Sequence, residues 1–446
     1  MITRTEEHDI PGGRVRFLGA ADSVTPAMTL LEMDGVTILV DCGSDPGAGD
    51  DPLELPDEAY EADAVILTHG HLDHVGGIPA LLASGFHAPV FATGATLAIS
   101  RIVLGDGIRL GGGGHRDVRA FLGGFDHTAR KVEYGEKFRP VPSRDIEVTL
   151  LEAGHILGSA SVEVTSPSAR VIFSGDIGRP GSPILRDPNT EWSDARPVDL
   201  VVMESTYGDR EHGMAPGDVP DALLEIVERA RSDGGHILVP AFAIGRTQAI
   251  IHHLDELVES GRLEGLPVAV DTPMGLRVTD TYEAYRKLFD AESLEKLSHD
   301  DDPLDFKGLY AVRRGRDSAR LRDIDKTMMI IAGSGMCTGG RIVRHLEDLL
   351  PFSETNVMFV GYQAPGTLGR EIIDANLKRG DGPSEMVNVK GAKVPMRAHV
   401  DVLHGLSAHA DRKELAAWLD GIPGVKKVAL HHGDGDAQDA FSKWYK

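Results

Sequence analysis

At 446 residues, 41% of them apolar and 26% charged, the chain has a globular composition and room for two or three domains. No apolar run approaches the roughly eighteen residues of a membrane span, and the acidic start Met1–Asp9 is unlike a signal peptide. Two cysteines, Cys42 and Cys337, are too few for a disulfide framework, so a reduced cytoplasmic setting is expected. The net charge of −23, with no lysine before Lys131, sits awkwardly with the basic face expected of a nucleic-acid enzyme, and charge alone does not choose between readings. It fits either local arginine patches on an acidic surface suited to high salt, or an acidic enzyme with a small substrate.

Apolar runs place strands at Arg14–Leu18, Thr29–Met33 and Val36–Val40, the last ending at Asp41, followed by a turn-rich acidic loop from Ser44 to Pro56. The run Ala64–Leu67 reads as a short buried strand. It opens directly into Thr68-His69-Gly70-His71-Leu72-Asp73-His74, and a helix is expected to start near Val75. Three imidazoles and a carboxylate thus crowd one strand-to-helix turn. His69 and His71 leave an extended segment on the same side, while the adjacent Asp73 and His74 are able to serve a second centre. Imidazole with carboxylate suits zinc or a similar first-row metal; the plainer reading is a set of surface histidines in a polar turn.

Further on come a strand near Pro89–Ala92, a helix from Thr96 towards Leu104 and four consecutive glycines, Gly111–Gly114, read as a flexible connection. Strands resume at Ile146–Leu151, Ala160–Val164 and Arg170–Phe173. From about Ser205 the rhythm becomes alternating helix and strand. Helices are expected at Ala222–Arg231, Thr247–Val258, Leu276–Phe289 and Arg341–Leu350, and strands at His236–Val239, Pro267–Val270, Met328–Ile331 and Val357–Val360. That order implies a parallel sheet covered by helices on both faces. Ala291–Asp305 is charged and reads as a surface excursion. Past Ile373 the strand-rich style returns, closing with a helix Ala410–Leu419 and a strand Val428–Leu430. The expected layout is a first domain opened by residues 1–204, an inserted α/β domain over 205–372, and a return to the first domain over 373–446.

Polar residues recur at the ends of apolar runs: Asp41, His155, Asp176, Glu204 and His432. Each alone reads as a turn former or a satisfied surface group. Together they would line one edge of a layered sheet, where loops converge on a site. In an extended strand His431 and His432 face opposite ways, so only one of them can join it.

With these motifs in view, the chain resembles the metallo-β-lactamase superfamily. The stretch Leu-Thr-His69-Gly-His71-Leu-Asp73-His74-Val-Gly-Gly, then Ala-Gly-His155-Ile-Leu-Gly-Ser-Ala and Phe-Ser-Gly-Asp176-Ile-Gly-Arg, are similar to its successive motifs. Glu204-Ser-Thr-Tyr-Gly, Gly-Leu-Ser-Ala-His409-Ala-Asp and Leu-His-His432-Gly-Asp resemble three further motifs of its β-CASP group. Within that group the resemblance is to cleavage-and-polyadenylation-type ribonucleases of archaea and bacteria, and it spans nearly the whole chain. It implies a four-layered αββα metallo-β-lactamase fold with an inserted parallel α/β β-CASP domain, acting as a zinc-dependent ribonuclease, endonucleolytic or 5′→3′ exonucleolytic, in RNA processing or decay.

The resemblance also implies two zinc ions per chain, one on His69, His71 and His155 and the other on Asp73, His74 and His432, with Asp176 bridging. Asp41 would orient a ligand imidazole, and His409 supported by Glu204 would be the general acid. Choosing His432 over His431 rests on the His-Gly-Asp wording, and a histidine there is the RNA-type choice in this group. Arg246, Ser334 and Arg370 sit in glycine-bearing turns of the inserted domain; contact with substrate phosphate and purely structural roles both fit them. Cys337 and Cys42 are read as packing residues.

Two departures from the family pattern stand out. Val24-Thr25-Pro26-Ala27 replaces the frequent Val-Thr-Gly-Ser turn, and the strands begin almost at once, without an N-terminal RNA-binding extension of the KH kind. The expected partner is single-stranded RNA, with no membrane contact; a homodimer is left open. The competing readings are a β-CASP DNA nuclease and a non-catalytic RNA-binding subunit of a processing complex. A small-ester hydrolase is disfavoured, because it would not need the inserted domain.

Overall fold

The computed structural model describes residues 2–45, 53–192, 196–299, 301–378 and 385–445; most of the acidic Ser44–Pro56 loop lies outside them. The chain divides into two compact units, one made of residues 1–180, 185–211 and 408–446, the other of 181–184 and 212–407.

The first unit holds two seven-stranded sheets. One runs in the order Glu7–Ile10, Gly13–Phe17, Thr29–Met33, Val36–Val40, Ala64–Ile66, Val90–Thr93, Ala129–Val132, antiparallel in its first four strands and parallel thereafter. The other runs Ile2–Thr3, Val428–His431, Leu200–Glu204, Arg170–Phe173, Ala160–Thr165, Glu147–Glu152, Lys137–Phe138. Its first four strands are parallel and the rest antiparallel.

Successive side chains of a strand leave on opposite faces, and here both faces are covered, which explains continuous apolar runs in place of alternation. Leu31, Ile38 and Val40 of one sheet meet Val162, Val171, Phe173, Leu200 and Val202 of the other in a shared core. Their strand neighbours Leu30, Leu39 and Val65 pack outward against Ile78, Leu81, Leu104 and Phe125 of the helices that follow the first sheet. On the far side Ile172, Val201, Met203 and Leu430 pack against Leu415, Trp418 and Phe441 of helices Arg412–Asp420 and Gly435–Trp444. These are the four αββα layers expected.

The second unit carries a six-stranded, wholly parallel sheet in the order Leu309–Ala311, Val268–Asp271, Met329–Ala332, Ile237–Pro240, Asn356–Phe359, His399–Val402. The expected return to the first domain at residue 373 does not match this division. Asn356–Phe359 pairs with His399–Val402, so the chain stays with the second unit to residue 407. The strand-rich style after Ile373 belongs to that edge strand and to the hairpin Met386–Val389/Ala392–Pro395.

Smaller differences have local causes. The helix expected near Val75 starts earlier, at Leu72, and is broken at Gly76–Gly77 before resuming at Ile78. A Cβ on Gly76 would meet the Leu72 carbonyl and Ser44, and one on Gly77 would meet Cys42, so these glycines let the turn press onto the strand end. Gly111–Gly114 do connect two elements, but the second, helix His115–Thr128, goes beyond what the apolar pattern predicts. The Leu276–Phe289 helix ends at Ala284 and gives way to a short 3₁₀ turn. The charged Ala291–Asp305 stretch contains a helix, Ala291–Ser298, capped by the Asp290 side chain on the Ser293 amide. Among the described residues no helix is long and apolar enough to cross a membrane.

Candidate metal centre and catalytic site

The polar residues that close the apolar runs all fall in the first unit, and most stand at the carboxyl ends of parallel strands. Asp41 and the His69 turn follow the paired strands Val36–Val40 and Ala64–Ile66. Asp176, Glu204 and His432 close or follow Arg170–Phe173, Leu200–Glu204 and Val428–His431, neighbours in the other sheet. His155 lies in the turn between Glu147–Glu152 and Ala160–Thr165. Two sheets packed face to face therefore aim their loops at one place.

The imidazoles meet with ring nitrogens converging. His71 Nδ1 is 3.0 Å from His69 Nε2 and 3.1 Å from His155 Nε2. His74 Nε2 lies 3.2 Å from His432 Nε2, which is 3.5 Å from Asp73 Oδ2. One ligand atom each from His69, His71, His155 and Asp176 fall within 4.8 Å of one another, and the same holds for Asp73, His74 and His432. Asp176 faces both sets. Its Oδ2 is 3.4 Å from His69 Nε2 and 3.5 Å from His155 Nε2, while its Oδ1 is 3.4 Å from His74 Nε2 and from His432 Nδ1, the other nitrogen of that ring.

That division of oxygens would suit a carboxylate shared between the two sets. The donors also have the right spacing, since nitrogens about 2.0–2.1 Å from a tetrahedral ion stand roughly 3.3 Å apart. Asp176 Oδ1 is buried with no hydrogen bond, an arrangement that is costly unless a cation completes it. The residues therefore fit divalent metal.

The outward nitrogens are tied down. Asp41 Oδ2 lies 2.8 Å from His74 Nδ1 and accepts from Thr68 Oγ1 at 2.8 Å, while Oδ1 accepts from the Thr68 amide at 2.7 Å. Thr68 Oγ1 is in turn 3.1 Å from His69 Nδ1. One carboxylate thus orients an imidazole of each cluster, through Thr68 for the second. His155 Nδ1 donates to the Ala408 carbonyl at 3.1 Å, which directs Nε2 inward. Asp41 and His432 both take left-handed backbone, at φ of 60° and 47°, a strain typical of functional sites.

Charge follows the same plan. Burial works against a proton on His74, but Asp176 and Asp41 outweigh it and push its pKa up to about 10. Burial among its fellow imidazoles holds His69 well below the usual histidine range. Burial would raise the Asp73 carboxyl, yet its hydrogen bond with His432 and the imidazoles around it hold it lower. Asp176 is raised, with burial the largest cause.

Beside the clusters, His409 Nδ1 is 3.1 Å and 3.3 Å from the two oxygens of Glu204, and its ring centroid is 4.6 Å from that of His155. Glu204 is buried and accepts from the Ile177 amide at 2.7 Å and the Thr206 amide at 3.2 Å. Burial opposes its ionisation, but His409 more than compensates and holds the carboxyl low.

His431 stays apart. Its Nε2 is 2.9 Å from the Gly19 carbonyl, and its ring lies 4.6 Å from that of Phe17. Cys42 and Cys337 are buried free thiols, pushed up by burial. Thr68 and Thr206 stand inside the quoted motifs, but the sequence reading assigns them no role. Thr68 was legible in principle, because a hydroxyl on the last residue before His69 is well placed to hold a ring nitrogen.

Arg246, Ser334 and Arg370 belong to the second unit and are not among the clustered ligands. They lie in or just beyond the loops that leave the carboxyl ends of Ile237–Pro240, Met329–Ala332 and Asn356–Phe359, three adjacent strands. Arg246 opens helix Arg246–Glu259. Ser334 Oγ accepts from the Thr338 amide at 3.0 Å, a tight-turn bond, and Arg370 pairs with Asp374 at 2.9 Å. The carboxyl edge of a parallel sheet is where open α/β folds bind ligands.

Against known proteins, the chain matches models of the metallo-β-lactamase superfamily over residues 24–241 and of the β-CASP domain over 247–372. Residues 393–446 match a third model, the Zn-dependent metallo-hydrolase RNA specificity domain. It is 36% identical over 435 residues to Ribonuclease TTHA0252 of Thermus thermophilus, covering 96% of this chain and 95% of that one. The chain belongs to the metallo-β-lactamase superfamily, in its β-CASP group. Another relative, Transcription termination factor FttA of Cenarchaeum symbiosum, is 31% identical over 94% of this chain; the match spans 65% of FttA's own length. The RNase J-like protein of Methanocaldococcus jannaschii is 27% identical over 94% of this chain and 92% of its own. A crystal structure of a protein of unknown function from Enterococcus faecalis V583 shares the fold at a TM-score of 0.54 and 13% identity, covering 95% of each chain.

Proposed function

We propose that this β-CASP protein is a two-zinc ribonuclease that hydrolyses phosphodiester bonds of single-stranded RNA. The observation that carries this reading is the split of Asp176, with one oxygen toward His69 and His155 and the other toward His74 and His432. Naming zinc rests on a donor set of five imidazoles and two carboxylates, which suits it better than magnesium or calcium. The ribonuclease relatives and the match to an RNA specificity domain support RNA as substrate.

His69, His71 and His155 would hold one ion and Asp73, His74 and His432 the other, with Asp176 shared. When bound, such ions lower the pKa of water and stabilise negative charge at attacking and leaving oxygens. The protein's own contribution is orientation and proton transfer. Asp41 and Thr68 keep the His74 and His69 rings turned inward. Glu204, locked by two backbone amides, holds His409 through Nδ1. His409 Nε2 is then the atom that would deliver a proton to the leaving 3′-oxygen, a general-acid step worth roughly 10²–10⁴-fold in rate. Arg246, Ser334 and Arg370 are assigned to phosphates of the bound strand, with the Arg370–Asp374 pair opening to admit them.

The test is metal content by elemental analysis together with cleavage of a 5′-labelled single-stranded RNA, its early products resolved by length. About two zinc ions per chain and RNA cleavage are expected. Labelled mononucleotides from the outset would mean 5′→3′ exonuclease action, and discrete longer fragments an endonuclease. Turnover of a matched DNA strand but not of RNA would overturn the assignment of substrate. Bound metal without cleavage of either would overturn the enzyme reading in favour of a binding subunit.

A further inference from the structure

At net charge −23 this chain has little cationic excess with which to draw RNA, so contacts that do not depend on charge gain weight beside the three candidate phosphate contacts. Stacking of unpaired bases on aromatic rings is the salt-tolerant alternative, worth about 1–3 kcal/mol per base. Phe242 and Tyr362 offer it at the carboxyl edge of the second unit's sheet.

Phe242 follows the strand Ile237–Pro240, and Tyr362 follows its neighbour Asn356–Phe359. Both rings are large and exposed, at 37% and 50%. They share the edge from which the Arg246, Ser334 and Arg370 loops leave. The Phe242 ring lies against the backbone of Gly335, where a Cβ would come within 2.6 Å of it, and it reaches Gly361, the residue before Tyr362, at 3.5 Å from a built Cβ. Any side chain at Gly335 would displace the ring.

The surrounding backbone is fixed. Thr247 Oγ1 donates to the Phe242 carbonyl at 2.8 Å. The buried Gln363 amide nitrogen is 2.9 Å from the Gly335 carbonyl and 3.1 Å from those of Gly361 and Tyr362, so it ties the loops together. Two aromatic side chains left partly exposed on a pre-organised frame lower the ordering cost of binding a flexible strand.

We propose that Phe242 and Tyr362 form a platform on which unpaired bases of the RNA strand stack while its phosphates reach Arg246, Ser334 and Arg370. This rests on the ribonuclease reading above and adds which portion of the substrate is gripped.

The test uses the full zinc-loaded chain carrying His409→Ala to suppress cleavage, with equilibrium binding of a fluorescent octaadenosine and of its abasic counterpart. Phe242→Leu and Tyr362→Leu are each expected to weaken octaadenosine roughly 5- to 100-fold, and Tyr362→Trp to retain it. Abasic strand should bind parent and variants alike. Phe352→Leu, at an equally exposed ring before the amino end of Asn356–Phe359, should change nothing. Unchanged affinity in both leucine variants would overturn the platform, as would an equal loss on abasic strand or an equal loss in Phe352→Leu. If the wild type cleaves RNA while the variants bind normally, the platform alone fails. If the parent binds no RNA and the wild type cleaves none, the ribonuclease reading fails and the platform with it.

Discussion

Asp41 lies 2.8 Å from His74 Nδ1 and, through the Thr68 hydroxyl, reaches His69 Nδ1 as well. A single carboxylate therefore sets the ring orientation in both candidate ligand groups. Asp41→Asn should lower metal affinity about 10- to 100-fold, the usual cost of losing such a partner. Because both clusters depend on Asp41, both ions should be lost over a similar chelator range. Competition with a chelator, followed by elemental analysis, reads this out. Normal retention of both metals in the variant would mean that neighbouring packing, not Asp41, orients the rings.

His409 and Glu204 form a second such pair, beside the metal ligands. His409→Ala should keep both ions yet lose RNA cleavage by roughly 10²–10⁴-fold. Glu204→Gln should have a smaller effect, because the amide can still hold the His409 ring through Nδ1. Unaltered turnover in His409→Ala would remove that residue from the mechanism.

Asp176 sits buried with Oδ1 lacking a hydrogen bond and its carboxyl raised by burial. Metal binding justifies that arrangement, so activity and stability are opposed at this position. Asp176→Asn should abolish cleavage and reduce bound metal. In excess chelator, however, its melting temperature should match or exceed that of the chelated wild type, since an amide is less costly to bury than a carboxylate. A large loss of stability in chelator would show that Asp176 is chiefly a structural residue.

Away from the site, His8 is fully buried in the first sheet, edge-on to Phe17 at 5.2 Å. Burial is the main cause that lowers its pKa to about 4, with Lys427 adding to it. An unfolded His8 takes a proton near pH 6.5, and the folded one does so only near 4. Its contribution is therefore fully present above pH 6.5 and is lost as pH falls towards 4, by roughly 3 kcal/mol. Urea melts at pH 7 and pH 4.5 should show a smaller acid penalty for His8→Leu than for the wild type. Equal penalties would place the acid sensitivity elsewhere.

Phe441 fills the layer between helix Gly435–Trp444 and the sheet beneath it, with no exposed surface. Phe441→Ala should cost about 3–5 kcal/mol in chemical unfolding. A loss below about 1 kcal/mol would mean that the C-terminal helix contributes little to this unit's core.

The motif residues were legible in the sequence because ligand chemistry demands particular side chains at short spacings: His69, His71, Asp73 and His74 fall within six consecutive positions. The strands that carry them were legible too, since short apolar runs bounded by turns have few other readings. Helix His115–Thr128 escaped, because it is mostly exposed and its apolar face is narrow. The boundary at residue 407 escaped for a different reason. Which sheet the strand His399–Val402 joins depends on backbone pairing with Asn356–Phe359, and a four-residue polar strand carries no mark of its partner.

The kinds of ligand, their order and the layered α/β architecture were determined by the sequence alone. Tertiary structure decided how residues up to 363 positions apart, His69 and His432, come to share Asp176. It also decided that Asp41 serves both clusters through Thr68, and that His432 rather than His431 turns inward. Those outcomes depend on strand order and on the left-handed backbone at His432, which parallel pairing and packing between two sheets impose and no local spacing encodes.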